Sequence, residues 1–261
     1  MKRTRPAGST LWLAIACTLG LALLVPIALM AKGPDALWTI VHGQCVLDQK
    51  AISFPAPCRL VDLKGRYAVL KDLVGATQYL VIPTDRISGI ESPAILSPDS
   101  PNYWEAAWQA RRLVAESAGK PVPRDDIALA INPPASRSQN QLHIHVDCVR
   151  RDVRDALREA EAKIGPTWTP FDFPLTGERY LAMRVESEDL SQINPFRLLA
   201  DNNPAAAADM GAQTLVVVGA SFADGRNGFY LLNDHVDLAM RDWAHGEALL
   251  DHACAVLKPI P

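Results

Sequence analysis

The sequence predicts an α+β fold: an antiparallel sheet with flanking helices, preceded by one apolar segment. Three observations carry that prediction. Short apolar runs come in pairs around turn residues, as in β-hairpins. Other stretches space their apolar residues three and four apart, as in amphipathic helices. The two kinds of element are interleaved, but the hairpins demand antiparallel pairing, which is the mark of α+β rather than a doubly wound parallel sheet.

The first element is the apolar segment. Thr10 to Ala31 holds 22 residues without a charge. As a helix it spans about 30 Å, the thickness of a hydrocarbon core. Lys2, Arg3 and Arg5 precede it, so the positive-inside rule leaves residues 1–9 in the cytoplasm. Residues 10–31 are read as an uncleaved anchor, with a cleaved signal peptide as the rival, and residues 32–261 as an exported domain. Cys17 falls inside the anchor; Cys45, Cys58, Cys148 and Cys254 remain. An even number of cysteines outside the cytoplasm predicts two disulfides. Three pairings are possible. The short Pro-containing loop makes Cys45–Cys58 a local bond, which leaves Cys148–Cys254.

The exported part then reads in order. Asp35 to Gln44 is a short helix. Tyr67–Leu73 and Thr77–Pro83 form a hairpin around Val74-Gly75-Ala76. Asn102 to Gly119 is a helix whose Trp104, Ala107, Trp108, Leu113 and Val114 belong to the core. Ile127–Ile131 is a strand, Asn132–Asn140 a loop, Leu142–Val149 a strand and Asp152–Ile164 a helix. Tyr180–Val185 is a strand, Ser187 to Asp189 starts a short helix and Pro195–Ala200 is another. Thr214–Val218 and Gly228–Leu232 make a second hairpin, and Asp237–Leu257 is a final helix. The second half is read as a degenerate copy of the first.

With 49% hydrophobic and 21% charged residues, the chain has the composition of a packed protein. Its net charge of −3 argues against a nucleic-acid binder. No P-loop, G-x-S-x-G or dinucleotide fingerprint is present, so those chemistries lack their motifs.

The sharpest feature is Gln141-Leu142-His143-Ile144-His145-Val146. On a strand, Gln141, His143 and His145 share one face while the apolar residues turn to the core. Two readings compete. A metal needs a third ligand; Asp147 is expected to face away, and His235, His245 and His252 converge only through folding. Nucleophilic catalysis by neutral imidazole needs no metal.

The surrounding residues resemble the histidine-triad superfamily, whose signature alternates histidine with apolar residues. The matching pieces are Val69-Leu70-Lys71-Asp72-Leu73, Gln78-Tyr79-Leu80-Val81-Ile82-Pro83 and the loop opening at Asn132. Within it the chain resembles the CDP-diacylglycerol pyrophosphatase family, through Gly89-Ile90-Glu91-Ser92-Pro93, Trp108-Gln109-Ala110-Arg111, His143-Ile144-His145 and Cys148 with Arg150. The resemblance implies a histidine-triad-like fold and hydrolysis of CDP-diacylglycerol to phosphatidate and CMP through a nucleotidyl-histidine. It implies His143 as nucleophile and His145 as a donor to phosphate oxygens. Asp72 would bind ribose, Asn132 would orient oxygens, and Ser138 and Lys71 would contact phosphate. Gln141 stands where the family signature has a first histidine. The resemblance implies no metal and no cofactor, and an inner-membrane enzyme with a periplasmic catalytic domain. The alternatives are an exported hydrolase or transferase of a soluble nucleotide diphosphate ester, and a non-catalytic nucleotide- or lipid-binding module, which Gln141 motivates.

Overall fold

The computed structural model describes residues 33–258. The expected anchor at residues 10–31 lies outside them. Among the described residues no helix is long and apolar enough to cross a membrane.

Two short helices come first, α1 (Ala36–Ile40) and α2 (Val46–Ile52), joined by a π turn at Val41–Cys45. Strand β1 (Leu60–Asp62) pairs with β2 (Tyr67–Lys71), and β2 with β3 (Tyr79–Pro83), as the first predicted hairpin requires. Helix α3 (Tyr103–Ala118) follows. Asn102 caps its N-terminus by accepting from the Glu105 amide, and Gly119, with φ of 67°, ends it in the left-handed conformation. Strands β4 (Ile127–Ile131) and β5 (Ile144–Val149) lead to α4 (Arg151–Glu159). The second half supplies β6 (Thr169–Pro170), β7 (Leu181–Glu186), α5 (Pro195–Asn202), α6 (Pro204–Ala208), β8 (Gln213–Ser221), β9 (Asn227–His235) and β10 (Leu250–Asp251).

The strands join one antiparallel ten-stranded sheet in the order β1-β2-β3-β5-β4-β8-β9-β7-β6, with β10 beside the end of β5. One connectivity occurs twice. In the first half β3, α3, β4 and β5 follow one another, and β5 inserts between β3 and β4. In the second, β7, α5 with α6, β8 and β9 do the same, with β9 between β7 and β8. The halves meet at β4 and β8, where Leu129 pairs with Val217.

One face of the sheet carries a continuous core. Ile144, Val146, Leu129 and Val217 pack there against Trp104 and Trp108 of α3 and Phe196 of α5. The other face is divided. At β2 and β3, Leu70, Leu80 and Ile82 pack on α1 and α2, which the Cys45–Cys58 disulfide ties down. At β4, β8 and β9, Ala128, Val216 and Leu232 pack on Val153 and Leu157 of α4. Strand β5 runs between these two apolar clusters, and on this face it carries the polar His145 and Asp147 before Val149 joins the second cluster.

Two expected helices do not form. The segment 237–257 instead holds two 3-10 turns, Gly246–Leu249 and Ala255–Leu257, and β10. The side chains of Asp237, Asp242 and Asp251 accept from the amides two residues on, at Ala239, Ala244 and Ala253. Such local bonds compete with a helix. Gly246 also passes so close to β8 that a Cβ there would overlap Thr214 Oγ1. At Ser187–Asp189 the Ser187 hydroxyl donates to the Asp189 carbonyl at 2.7 Å, closing a turn in place of a helix.

Candidate active site

The polar face of β5 is built by alternation. His143 stands at the entrance of the strand, with His145 and Asp147 following on the same side. Asp147 was expected to face away; its parity with the two histidines puts it beside them. His145 lies between Leu80 of β3 and Ala130 of β4, its register partners. The two imidazoles meet edge to face, with ring centroids 5.0 Å apart.

His143 is oriented by its own backbone. Its Nδ1 lies 2.7 Å from the Gln141 carbonyl oxygen, which only accepts, so the proton sits on Nδ1 and Nε2 keeps a free lone pair. Burial pushes its pKa below the ordinary histidine value, outweighing the attraction of Glu247, so the ring is neutral at neutral pH. His145 is deeper still. Burial, then the neighbouring His143, holds it well below the usual range. Its Nδ1 lies 3.2 Å from Glu247 Oε1, but neither ring nitrogen has an aligned hydrogen-bond partner among the described residues. Buried polar atoms left unpaired in this way mark a place built for something else.

Glu247 is the hub. Asn132 clasps it twice: Nδ2 donates to Oε2 at 3.2 Å, and the Glu247 amide donates to Asn132 Oδ1 at 3.1 Å. Gln78 Nε2 donates to Glu247 Oε1 at 3.1 Å and to Asp72 Oδ2 at 2.7 Å, linking the hairpin to the hub. Burial opposes ionisation of Glu247, yet His245, His145, Gln78 and His252 together hold its pKa down to about 2. At neutral pH Glu247 is an anion and His145 is neutral, because burial of the imidazole outweighs the attraction of Glu247 and Asp72.

His252 completes the cluster. Its Nδ1 is 3.0 Å from Asp147 Oδ2 and its Nε2 3.5 Å from Glu247 Oε1. The bond with Asp147 raises its pKa. Asp147 is fully buried and takes a second bond of 2.6 Å from Thr77. The Cys148–Cys254 disulfide and the pairing of β10 with β5 hold this segment in place. Gly75, with φ of 74°, lets the hairpin tip lie against His252, where a Cβ would collide.

The sequence-predicted residues divide. His143, His145, Asn132 and Asp72 converge. Gln141 turns its amide to the carbonyls of Pro83 and Asp85, at 3.0 and 2.7 Å, while its own carbonyl orients His143. Lys71 Nζ bonds the Asp72 and Gly75 carbonyls of its own hairpin turn. Ser138 is exposed on its loop. That loop is fixed by Arg137, which grips Glu91 through two bonds of 2.6 and 2.7 Å and faces His143 electrostatically. Sequence reading missed Glu247, Gln78, Arg137 and the roles of His245, His252 and Asp147. Strand parity alone was enough to find Asp147. Glu247 and His252 lie about 100 residues beyond β5, in a segment read as helix, and carried no local signal.

Both expected disulfides form, Cys45–Cys58 and Cys148–Cys254. Among the described residues, Asp147 with Cys148 and Cys254 is the one group of three possible metal-ligand atoms close together, and those two sulfurs are bonded to each other.

Two neutral imidazoles beside an anionic hub suit attack on a phosphorus centre, and the sequence comparison agrees with that class. Residues 32–258 match the family model described as CDP-diacylglycerol pyrophosphatase. The chain belongs to that family and is a hydrolase of phosphoric anhydrides. It is 42% identical over 227 residues to a CDP-diacylglycerol pyrophosphatase of Yersinia pestis, a match covering 87% of this chain and 86% of the relative.

Proposed function

We propose that the chain hydrolyses CDP-diacylglycerol to CMP and phosphatidate through a covalent intermediate on His143. Family membership supports the substrate. The observation that supports the mechanism is the 2.7 Å contact between His143 Nδ1 and the Gln141 carbonyl, which leaves Nε2 as the nucleophile. Nε2 attacks the cytidine-linked phosphorus. The bond to the bridging oxygen breaks, and phosphatidate leaves with its electron pair. Water then attacks the same phosphorus, the P–N bond breaks, and CMP departs. His145 donates to the non-bridging oxygens as charge builds on them. Protonated His252, held by Asp147, faces the leaving phosphate. Asp72 takes the ribose hydroxyls, and Arg137 and Ser138 lie on the phosphate side.

The tether belongs to the same proposal. Residues 10–31 anchor the chain in a bacterial inner membrane and residues 32–261 work in the periplasm. The two disulfides support an oxidising compartment. The kinship with histidine-triad proteins is supported by the alternation at Gln141, His143 and His145.

A single turnover in 18O-water tests the chemistry. Label in CMP is expected, with an acid-labile cytidylyl-histidine trapped on His143. Label in phosphatidate would place the attack on the other phosphorus and sink the assignment.

A further inference from the structure

A cavity of about 580 Å³ opens beside His143 and His145 without containing them. Ala135, Ser136, Thr176, Trp243, His245 and Ala248 line it, with Glu178 as the one carboxylate in the lining. It adjoins the site in two places. His245 Nε2 lies 3.6 Å from Glu247 Oε2, and Ser136 belongs to the loop that carries Asn132 and Arg137.

The turn that carries Trp243 to the cavity also exposes apolar side chains to solvent. Leu238, Met240 and Trp243 are 62%, 77% and 53% exposed. Three large apolar side chains exposed within six residues are not scattered surface positions but a local patch, and such patches mark binding surfaces. The loop that presents them is preformed. Asp237 and Asp242 exchange backbone bonds of 3.0 and 2.9 Å, and the Asp237 carboxylate accepts from the Ala239 and Met240 amides. Tryptophan favours the boundary between lipid and water.

We propose that this cavity is the subsite for the glycerol backbone and upper acyl segments of the lipid substrate, and that Leu238, Met240 and Trp243 rest in the lipid surface around it. The proposal rests on CDP-diacylglycerol as the substrate. The volume suits a drug-sized group and not two long chains, so the remainder of each chain stays in the bilayer. The diphosphate would then lie between Asp72, on the hairpin side, and His245, on the cavity side, with His143 in the middle.

The test uses the full chain in detergent micelles. KM for CDP-dioleoylglycerol and the inhibition constant of CMP are measured for the unmodified chain, for the triple variant Leu238→Ser/Met240→Ser/Trp243→Ser, and for Ala135→Trp, which fills the cavity from an exposed position. Both variants are expected to raise KM about tenfold with the CMP constant unchanged. Leu73→Ser, which alters a still more exposed leucine at the β2–β3 tip, serves as comparator and is expected to leave KM alone. An unchanged KM in the rim and cavity variants overturns the proposal. So does a parallel rise in the CMP constant, which would put the nucleotide in the cavity, or a larger effect from Leu73→Ser. Absence of turnover by the unmodified chain would instead defeat the substrate reading, before any variant is compared.

Discussion

Strands β5 and β9 each end a strand-helix-strand-strand unit, and each is hydrogen-bonded between the two other strands of its unit. They turn opposite chemistry to the same face of the sheet. β5 presents His145 and Asp147 there, with His143 at its entrance; β9 presents Tyr230 and Leu232, sunk in an apolar cluster with Val216 and Phe222. At its end β9 carries Asp234, buried without a partner for Oδ2. Burial, then the Asp242 carboxylate, pushes that acid up to about 7. Asp147, by contrast, has Thr77 and His252 bonded to it. A strand can keep polar groups on a buried face only where other segments bring them partners, and the segment 246–254 does this for β5 alone.

The comparison can be broken at five points. The largest effect is expected from His143→Ala, which should lower kcat by on the order of 10⁴ or more while the fold stays intact. Loss of stability without loss of kcat in the folded fraction would remove the catalytic contrast. The counterpart on β9 is Leu232→Ala. That side chain is fully buried, so urea denaturation should show a loss of about 2–5 kcal/mol, with kcat of the folded enzyme unchanged. Replacing Cys148 and Cys254 together by serine opens a link spanning 106 residues. Stability should fall by about 2–5 kcal/mol, and kcat should fall with it because His252 loses its anchor. A variant that lost only stability would show that the pairing of β10 with β5 positions His252 unaided.

Two smaller effects depend on pH. Glu247 has an ordinary pKa of 4.5 and a folded value of about 2. The unfolded chain therefore takes up this proton first as pH falls, so its stabilisation is full above about 4.5 and fades as pH approaches 2. Glu247→Gln should flatten the fall in urea midpoint between pH 5 and 3; an unaltered slope would remove Glu247 as its source. His252 has a raised pKa, so its contribution is full below 6.5 and is lost as pH climbs through the folded value. In kcat/KM this should appear as an alkaline limb that His252→Gln abolishes. Persistence of the limb would assign it to another group.

Much of the first half was legible because its signals are local. The hairpin at β2 and β3 follows from paired apolar runs around Gly75, and α3 from its tryptophan spacing and its Asn102 and Gly119 caps. The histidine face of β5 follows from alternation. The C-terminal segment was not legible. Its apolar residues suited a helix, but Asp237, Asp242 and Asp251 bond their own backbone and Gly246 must pass close to Thr214. Neither effect shows in periodicity.

By itself the sequence determined the α+β class, the antiparallel pairing, the pair of imidazoles on one strand face and the four cysteines available for bonding, because each rests on neighbours a few residues apart. Only the tertiary structure decided that Glu247 reaches His145, that His252 pairs with Asp147 and that a cavity opens behind His245. The first two contacts join positions separated by about a hundred residues. The sheet order and the Cys148–Cys254 bond bring them together, and no local pattern encodes that distance.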